Sequence, residues 1–192
     1  MSGISQPSAL PALPAGLRLA GEGVVLREWT SGDLTAMVEL FDDPEVAHWT
    51  ALSSPFDRDA AREHLAKVRA SRSEGLGIQL AVTKDGEEPH GEIVLFRSPE
   101  DEEGRDIELG YSIGARSRRQ GLATAALRVM TDYARREFAP ERLVLRIEEE
   151  NTPSNAVARA VGYRLTDDEP VIREIRGRTM ALRTWSRPGR PF

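Results

Sequence analysis

The sequence predicts an α/β fold in which a mixed sheet carries helices on both faces. Segments with apolar residues at every second position alternate with segments in which they fall three and four apart, in the order β, α, α, β, β, β, α, β, α, β, β. Elements in that order bury their apolar faces against one another in layers. At 192 residues, 40 % apolar and 30 % charged, the chain has the length and composition of one folded domain with one substantial core.

The first strand is predicted over 24–28, and Thr30 or Ser31 can cap the helix that follows. Leu34, Met37, Val38 and Phe41 share one face of that helix, which should end near residues 42–44. Asp57 caps a second helix over 58–73, in which Ala61, His64, Leu65 and Val68 repeat the spacing. Ile78, Leu80 and Val82 then alternate as a strand, Asp85-Gly86 is a turn, and 91–96 returns as the second arm of a hairpin. The acidic run 98–106 reads as a solvated loop. The fourth strand spans 106–113, with Ile107, Leu109, Tyr111 and Ile113 on one face and Glu108, Gly110 and Ser112 on the other. A third helix over 121–138 uses Leu122, Ala126, Val129, Met130 and Tyr133 as its apolar face. Leu143, Leu145 and Ile147 mark the fifth strand, a fourth helix over 152–161 is closed by Gly162, and strands over 163–174 and 179–185 finish the fold. Residues 1–20, with Pro7, Pro11 and Pro14, are expected to form a mobile leader whose leucines can pack on the domain; 21–186 is the domain and 187–192 a tail.

Composition excludes several chemistries. The absence of cysteine removes disulfides, thiolate metal sites and a cysteine nucleophile. His48, His64 and His90 are scattered and form no HExxH set, so no metal is expected. A net charge of -5 argues against a nucleic-acid partner, and no apolar run is long enough to cross a membrane. With no secretory signal in the opening residues, a cytoplasmic protein is expected, monomeric or a homodimer through an edge strand.

The segment that carries chemistry is 112–124, where a strand gives way to a basic, glycine-containing loop that opens straight into a helix. The first N–H groups of a helix lack partners within it and its dipole adds positive potential there, so the junction suits a phosphate or pyrophosphate. Arg116, Arg118 and Arg119 strengthen that field. No Gly-Lys-Ser/Thr sequence occurs, which excludes a P-loop nucleotidase, and no GxGxxG follows the first strand.

The sequence resembles the GNAT superfamily of N-acetyltransferases, and within it the branch of ribosomal-protein N-terminal acetyltransferase-like (RimJ/RimL-type) proteins. The resemblance spans 24–185. It rests on Leu26-Arg27-Glu28-Trp29, Asp43-Pro44-Glu45-Val46, Glu108-Leu109-Gly110-Tyr111, the run 118–124, Asn151-Thr152-Pro153-Ser154-Asn155, and Val161-Gly162-Tyr163. It implies the acyl-CoA N-acyltransferase fold: about seven mostly antiparallel strands, splayed between the fourth and fifth, with acetyl-CoA in the split. The pyrophosphate would rest on Arg118, Arg119, Gln120, Gly121, Leu122, Ala123 and Thr124, and pantetheine would run beside Tyr111, Ser112 and Ile113. Asn155 matches a position that contacts the CoA arm, and Asn151 one that lines the acceptor side. Where the family has the first glycine of Arg-Gly-x-Gly this chain has Arg119, which is strained if the position needs positive φ.

The implied reaction is transfer of an acetyl group to a primary amine, on a protein N-terminus or a small molecule, by direct attack in a ternary complex. The amine must lose a proton, and Glu108 matches the base of several relatives; its other reading is a salt-bridged glutamate. Relatives place a tyrosine acid where this chain has Ala158, which leaves Ser154 as an alternative donor or plain helix cap. Trp29, Trp49 and Phe56 are candidates for the acceptor pocket or for the core. A catalytically idle acyl-CoA-binding module and a transferase of another acyl group stand as alternatives.

Overall fold

The computed structural model describes residues 10, 14 and 16–190. Among them nine strands form one sheet: β1 Arg18–Gly21, β2 Val24–Glu28, β3 Gly77–Thr83, β4 Pro89–Arg97, β5 Ile107–Ile113, β6 Arg142–Glu148, β7 Arg164–Leu165, β8 Val171–Ile175 and β9 Arg178–Pro188. The helices are α1 Leu34–Phe41, α2 Pro44–Trp49, α3 Arg58–Ser73, α4 Leu122–Phe138 and α5 Thr152–Ala160. Strand order is β1-β2-β3-β4-β5-β6-β9-β7, with β8 also on β9, and every pairing is antiparallel except β5 with β6.

The alternation of each strand divides the core in two. Leu80, Ile93, Leu109, Leu145 and their neighbours pack against Leu122, Ala126, Leu127 and Met130 of α4 and Ala158 of α5. On the opposite face Met37, Phe41, Ala61, Leu65 and Val68 of α1 and α3 gather with Trp29, Phe56 and Ala81. Glu108, Gly110 and Ser112 of β5 belong to this second face, because successive side chains alternate across a sheet.

Four expectations change. β1 lies inside the stretch expected to be a leader, because Glu22 and Gly23 both take positive φ (53° and 76°) and turn the chain through a tight hairpin onto β2. Leu10 and Leu17 are buried, and residues 1–9, 11–13 and 15 of the proposed leader lie outside the described residues. α1 ends at Phe41, as expected, but Pro44 then starts a short helix that was not expected, α2, since proline suits a first helical turn and Asp43 Oδ1 caps it by accepting from the amides of Glu45 (2.9 Å) and Val46 (3.0 Å). The strand expected over 163–174 is two, β7 and β8, both on β9. β9 itself runs to Pro188, into the expected tail.

Candidate functional site

β5 and β6 share only two register pairs, Ile107 with Leu143 and Glu108 with Val144. Beyond them β5 stays with β4 as far as Ile113, and β6 stays with β9 as far as Glu148. The two strands therefore part, and the facing backbone of 109–113 and 145–148 has no ladder partner across the gap. Such a split offers main-chain donors and acceptors to an extended ligand arm.

The gap leads to the N-terminus of α4. Gly121 takes φ +78°, and a Cβ there would meet nothing within 4 Å, so the helix end is open. Ala125 is the first helix residue whose amide finds a carbonyl, that of Gly121 at 3.0 Å. The amides of Leu122, Ala123 and Thr124 thus point out of the helix with no protein acceptor among the described residues. Arg119 stands at φ +61°, so the position occupied by glycine in the resembling pattern does need a left-handed backbone, and a non-glycine side chain is strained in it.

The loop is braced by its own side chains. Arg118 donates to the Ile113 carbonyl (3.1 Å), to Asp43 (2.8 Å) and to Glu45 (2.5 Å), tying the loop to the cap of α2. Burial pushes Asp43 up, but Arg118 and the two capped amides outweigh it and hold the carboxyl below its usual range. Gln120 accepts from Lys84 (2.9 Å) and donates to the Arg116 carbonyl (3.1 Å). A Cβ on Gly114 would strike Leu40 Cδ2, so a larger residue here would have to push the Leu40 side chain of α1 aside. Of the residues expected at a pyrophosphate, Arg118 and Gln120 therefore act as struts, and the amides of 122–124 are left without a protein acceptor among the described residues.

Residues 24–164 match the family model described as the acetyltransferase (GNAT) domain. The chain belongs to the GNAT acetyltransferase family. A relative, the uncharacterized N-acetyltransferase p20 of Bacillus licheniformis, is 25 % identical over 143 residues, 74 % of this chain and 79 % of that one. The fold is similar to the ribosomal-protein-S5-alanine acetyltransferase of Vibrio fischeri, at TM-score 0.74 and 17 % identity over 90 % of this chain and 97 % of that one. It is similar also to Mycobacterium smegmatis RimJ in complex with CoA-disulfide, at TM-score 0.71 and 22 % identity over 90 % and 86 %.

In this GNAT chain α5 closes one end of the split. Tyr111 on β5 donates its hydroxyl to the carbonyl of Ser154 (3.2 Å), crossing from strand to helix, and burial pushes the Tyr111 phenol up to about 12. Asn151 is the helix cap, its Oδ1 accepting from the amide of Ser154 (3.2 Å). Asn155 donates to the carbonyls of Glu148 (3.2 Å) and Glu149 (3.0 Å) and accepts from the indole of Trp185 (2.9 Å). Asn151 is thus engaged in capping α5, and Asn155 in holding α5 on the end of β6. The hydroxyl of Ser154 forms no hydrogen bond among the described residues. Ser112 Oγ is buried without a partner.

Glu108 sits at the closed end of the split, 4 % exposed, with both oxygens on Arg173 (2.9 and 2.7 Å). Burial pushes this carboxyl up; Arg173 and Arg146 oppose that, Glu100 adds to it, and the balance stays above the usual range. A carboxylate held so becomes a proton acceptor only when the arginine lets go. The sequence places strands here, but not the reach of their hairpin over the site, which brings this arginine to Glu108. β8 and β9 reach over the α1–α3 face, where Arg178 grips Glu148 (2.9 and 2.7 Å) and donates to the His48 carbonyl (3.0 Å), and Arg176 donates to the carbonyls of Ala47, Thr50 and Leu52 at the end of α2. The only signal was the run of arginines at 173, 176 and 178. Between α2 and the hairpin lies a cleft of ≈ 350 Å³ lined by Pro44, Ala47, His48, Ile175, Arg176 and Arg178. Trp29 and Phe56, considered for the acceptor pocket, are core residues in edge contact with Phe41 (6.0 and 5.3 Å between ring centres), whereas Trp49 lies under the guanidinium of Arg178.

Proposed function

We propose that this acyltransferase moves the acetyl group of acetyl-CoA onto a primary amine by direct attack within a ternary complex. The observation that carries the reading is the continuity of the β5–β6 split with the uncapped amides of α4. A diphosphate on those amides leaves the arm one path, along 109–113 and into the gap. The residues present fit the group: an open helix end, glycine at the left-handed position, and strand backbone free to bond an amide-containing chain. When bound, acetyl-CoA supplies the activated acyl thioester; this chain's residues bind, orient and move protons.

In this reading Leu122, Ala123 and Thr124 hold the diphosphate through their amides, and Tyr111, Ser112 and Ile113 guide the arm. Ser154 stands ready to protonate the departing sulfur. The sequence nominates Glu108 as base, a role that would require its release from Arg173. The acceptor enters from the face of α1, α2 and the β8–β9 hairpin. A protein N-terminus is the favoured acceptor, because the similar folds include an enzyme named for a ribosomal protein. The setting is the cytoplasm, with a monomer or homodimer as the working unit. The experiment is thiol release from acetyl-CoA with a panel of peptide N-termini, polyamines and aminoglycosides, and with succinyl-CoA as competitor. Turnover on a peptide supports the reading. CoA binding with no turnover on any amine overturns it in favour of an idle acyl-CoA-binding module, and a preference for succinyl-CoA in favour of another acyl group.

A further inference from the structure

Five acidic side chains are buried among the described residues, and four of them are held by arginine: Asp33 by Arg27 (2.8 Å), Asp106 by Arg142 (2.7 Å), Glu108 by Arg173 (2.7 Å) and Glu148 by Arg178 (2.7 Å). Glu92 on β4 is the fifth, and its partners are rings. Trp29 Nε1 donates to Glu92 Oε2 at 2.8 Å, and His64 Nε2 lies 2.9 Å from the same oxygen. A carboxylate only accepts, so the imidazole carries its proton on Nε2. The other oxygen, Oε1, has no hydrogen-bond partner among the described residues.

Position makes this carboxylate relevant to the split. Glu92 pairs with Ser112, which lies on the part of β5 that has left β6. Side chains directly opposed on antiparallel strands have Cβ atoms about 4.5–5.5 Å apart on one face. The Ser112 side chain therefore lies on the same face directly opposite Glu92, and its hydroxyl is buried and unpartnered. The strands are pressed together at this level, since a Cβ on Gly91 would strike the Ser112 carbonyl. Phe41 stands edge-on to Trp29 (6.0 Å) and to His64 (5.7 Å), and Phe56 to His64 (6.0 Å), so both donors are fixed by packing.

We propose that Glu92, oriented by Trp29 and His64, is the carboxylate that takes the proton of the acceptor amine beside Ser112, an inference that rests on the acetyl-transfer reading. The ammonium gives one proton to Glu92 Oε1, and the freed lone pair forms the C–N bond at the acyl carbon. The C–S bond breaks with its electron pair on sulfur, and the second nitrogen proton passes to that sulfur, directly or through Ser154. Glu92 then returns its proton to water. Glu108 and Glu148 have both oxygens occupied by guanidinium, whereas Glu92 is held through one oxygen by two ring nitrogens and has its other oxygen free. Its hydrogen-bond and register partners are His64 from α3, Trp29 after β2, Ala81 on β3 and Ser112 on β5; none of these is a lysine, an arginine or a second acid.

The test compares wild type, Glu92→Gln, Glu92→Asp and Glu108→Gln in kcat and kcat/KM against pH with the best amine of the panel, alongside CoA affinity and thermal midpoint. Glu92→Gln is expected to lower kcat by about 10²–10⁴-fold, to leave CoA affinity within about twofold, and to lose the acid limb of the profile. Glu92→Asp is expected to fall at least about tenfold while keeping that limb, and it carries the test if the glutamine variant does not fold. In the unliganded protein the indole N–H resonance of Trp29 should titrate, and Glu92→Gln should abolish that step. A Glu92→Gln enzyme with wild-type kcat and profile, a loss confined to Glu108→Gln, or a Trp29 signal flat with pH overturns the proposal. Wild-type protein that takes up CoA but acetylates no amine is the separate failure of the parent reading, and it removes this inference too.

Discussion

Gly121 is the position where geometry and ligand binding can be separated. Its φ of +78° lies in the left-handed region, and a Cβ would find open space, so alanine adds backbone strain and no collision. That strain costs about 1–2 kcal/mol, offset by about 0.4–1 kcal/mol from the stiffer unfolded chain. Gly121→Ala should therefore lose about 1 kcal/mol, which lowers the thermal midpoint by about 2–4 °C in a chain of this size. Gly121→Trp carries the same backbone penalty and adds an indole in the space before the amides of Leu122, Ala123 and Thr124. If it displaces two charge-assisted hydrogen bonds of about 1.5–3 kcal/mol each, affinity for CoA falls by about 10²–10⁴-fold. Calorimetric titration of both variants with CoA, beside their thermal melts, isolates the ligand term. Equal CoA affinity in the two variants would refute the placement of the diphosphate.

Two further outcomes follow from contacts that hold the split. Asn155→Ala frees the Trp185 indole and two carbonyls at the end of β6, one from the buried Glu148, and should lower stability by about 3 kcal/mol, or about 6–12 °C in thermal midpoint; a shift below 2 °C would mean that the asparagine is not the tie between α5 and β6. Acid should weaken the fold. Burial pushes Asp33 and Glu100 up, but hydrogen bonds from Arg27 and Thr30 to the first and from Arg173 to the second leave both below their ordinary values of 3.8 and 4.5. Their contribution is complete above those values and is lost as pH falls through the lower folded ones, while Glu108, raised in the fold, contributes in the opposite sense as pH drops. With Asp43 and Asp101 also lowered, the midpoint should fall from about pH 4 downward, less steeply in Asp33→Asn; a midpoint that rises on acidification contradicts the sign.

The sheet was legible where one periodicity ruled a long segment. The alternation of Ile78, Leu80 and Val82 and the helical spacing of Leu122, Ala126 and Met130 locate β3 and α4 to within a residue or two. Short elements made by backbone conformation were hidden. β1 depends on Glu22 accepting positive φ, which a glutamate does not advertise, and α2 depends on proline at its first turn. In the site, the α4 junction was legible because glycine and strand-to-helix order are local signals. The partners of the acids were not: Arg173 meets Glu108 across 65 positions, and Trp29 meets Glu92 across 63, so no spacing in the chain connects them. Asn151 caps α5 through a local contact with the amide of Ser154, whereas the engagement of Asn155 with Trp185 is a tertiary fact that no local spacing shows.

The central claim is that the amides opening α4 grip a diphosphate and so direct a thioester into the gap between β5 and β6. A crystal structure of the protein soaked in acetyl-CoA tests it directly. Diphosphate oxygens at about 3 Å from the amides of Leu122, Ala123 and Thr124, with the acyl carbon in the gap beside Ser112, is the expected result. A diphosphate bound elsewhere, or an arm that bypasses the gap, would contradict it.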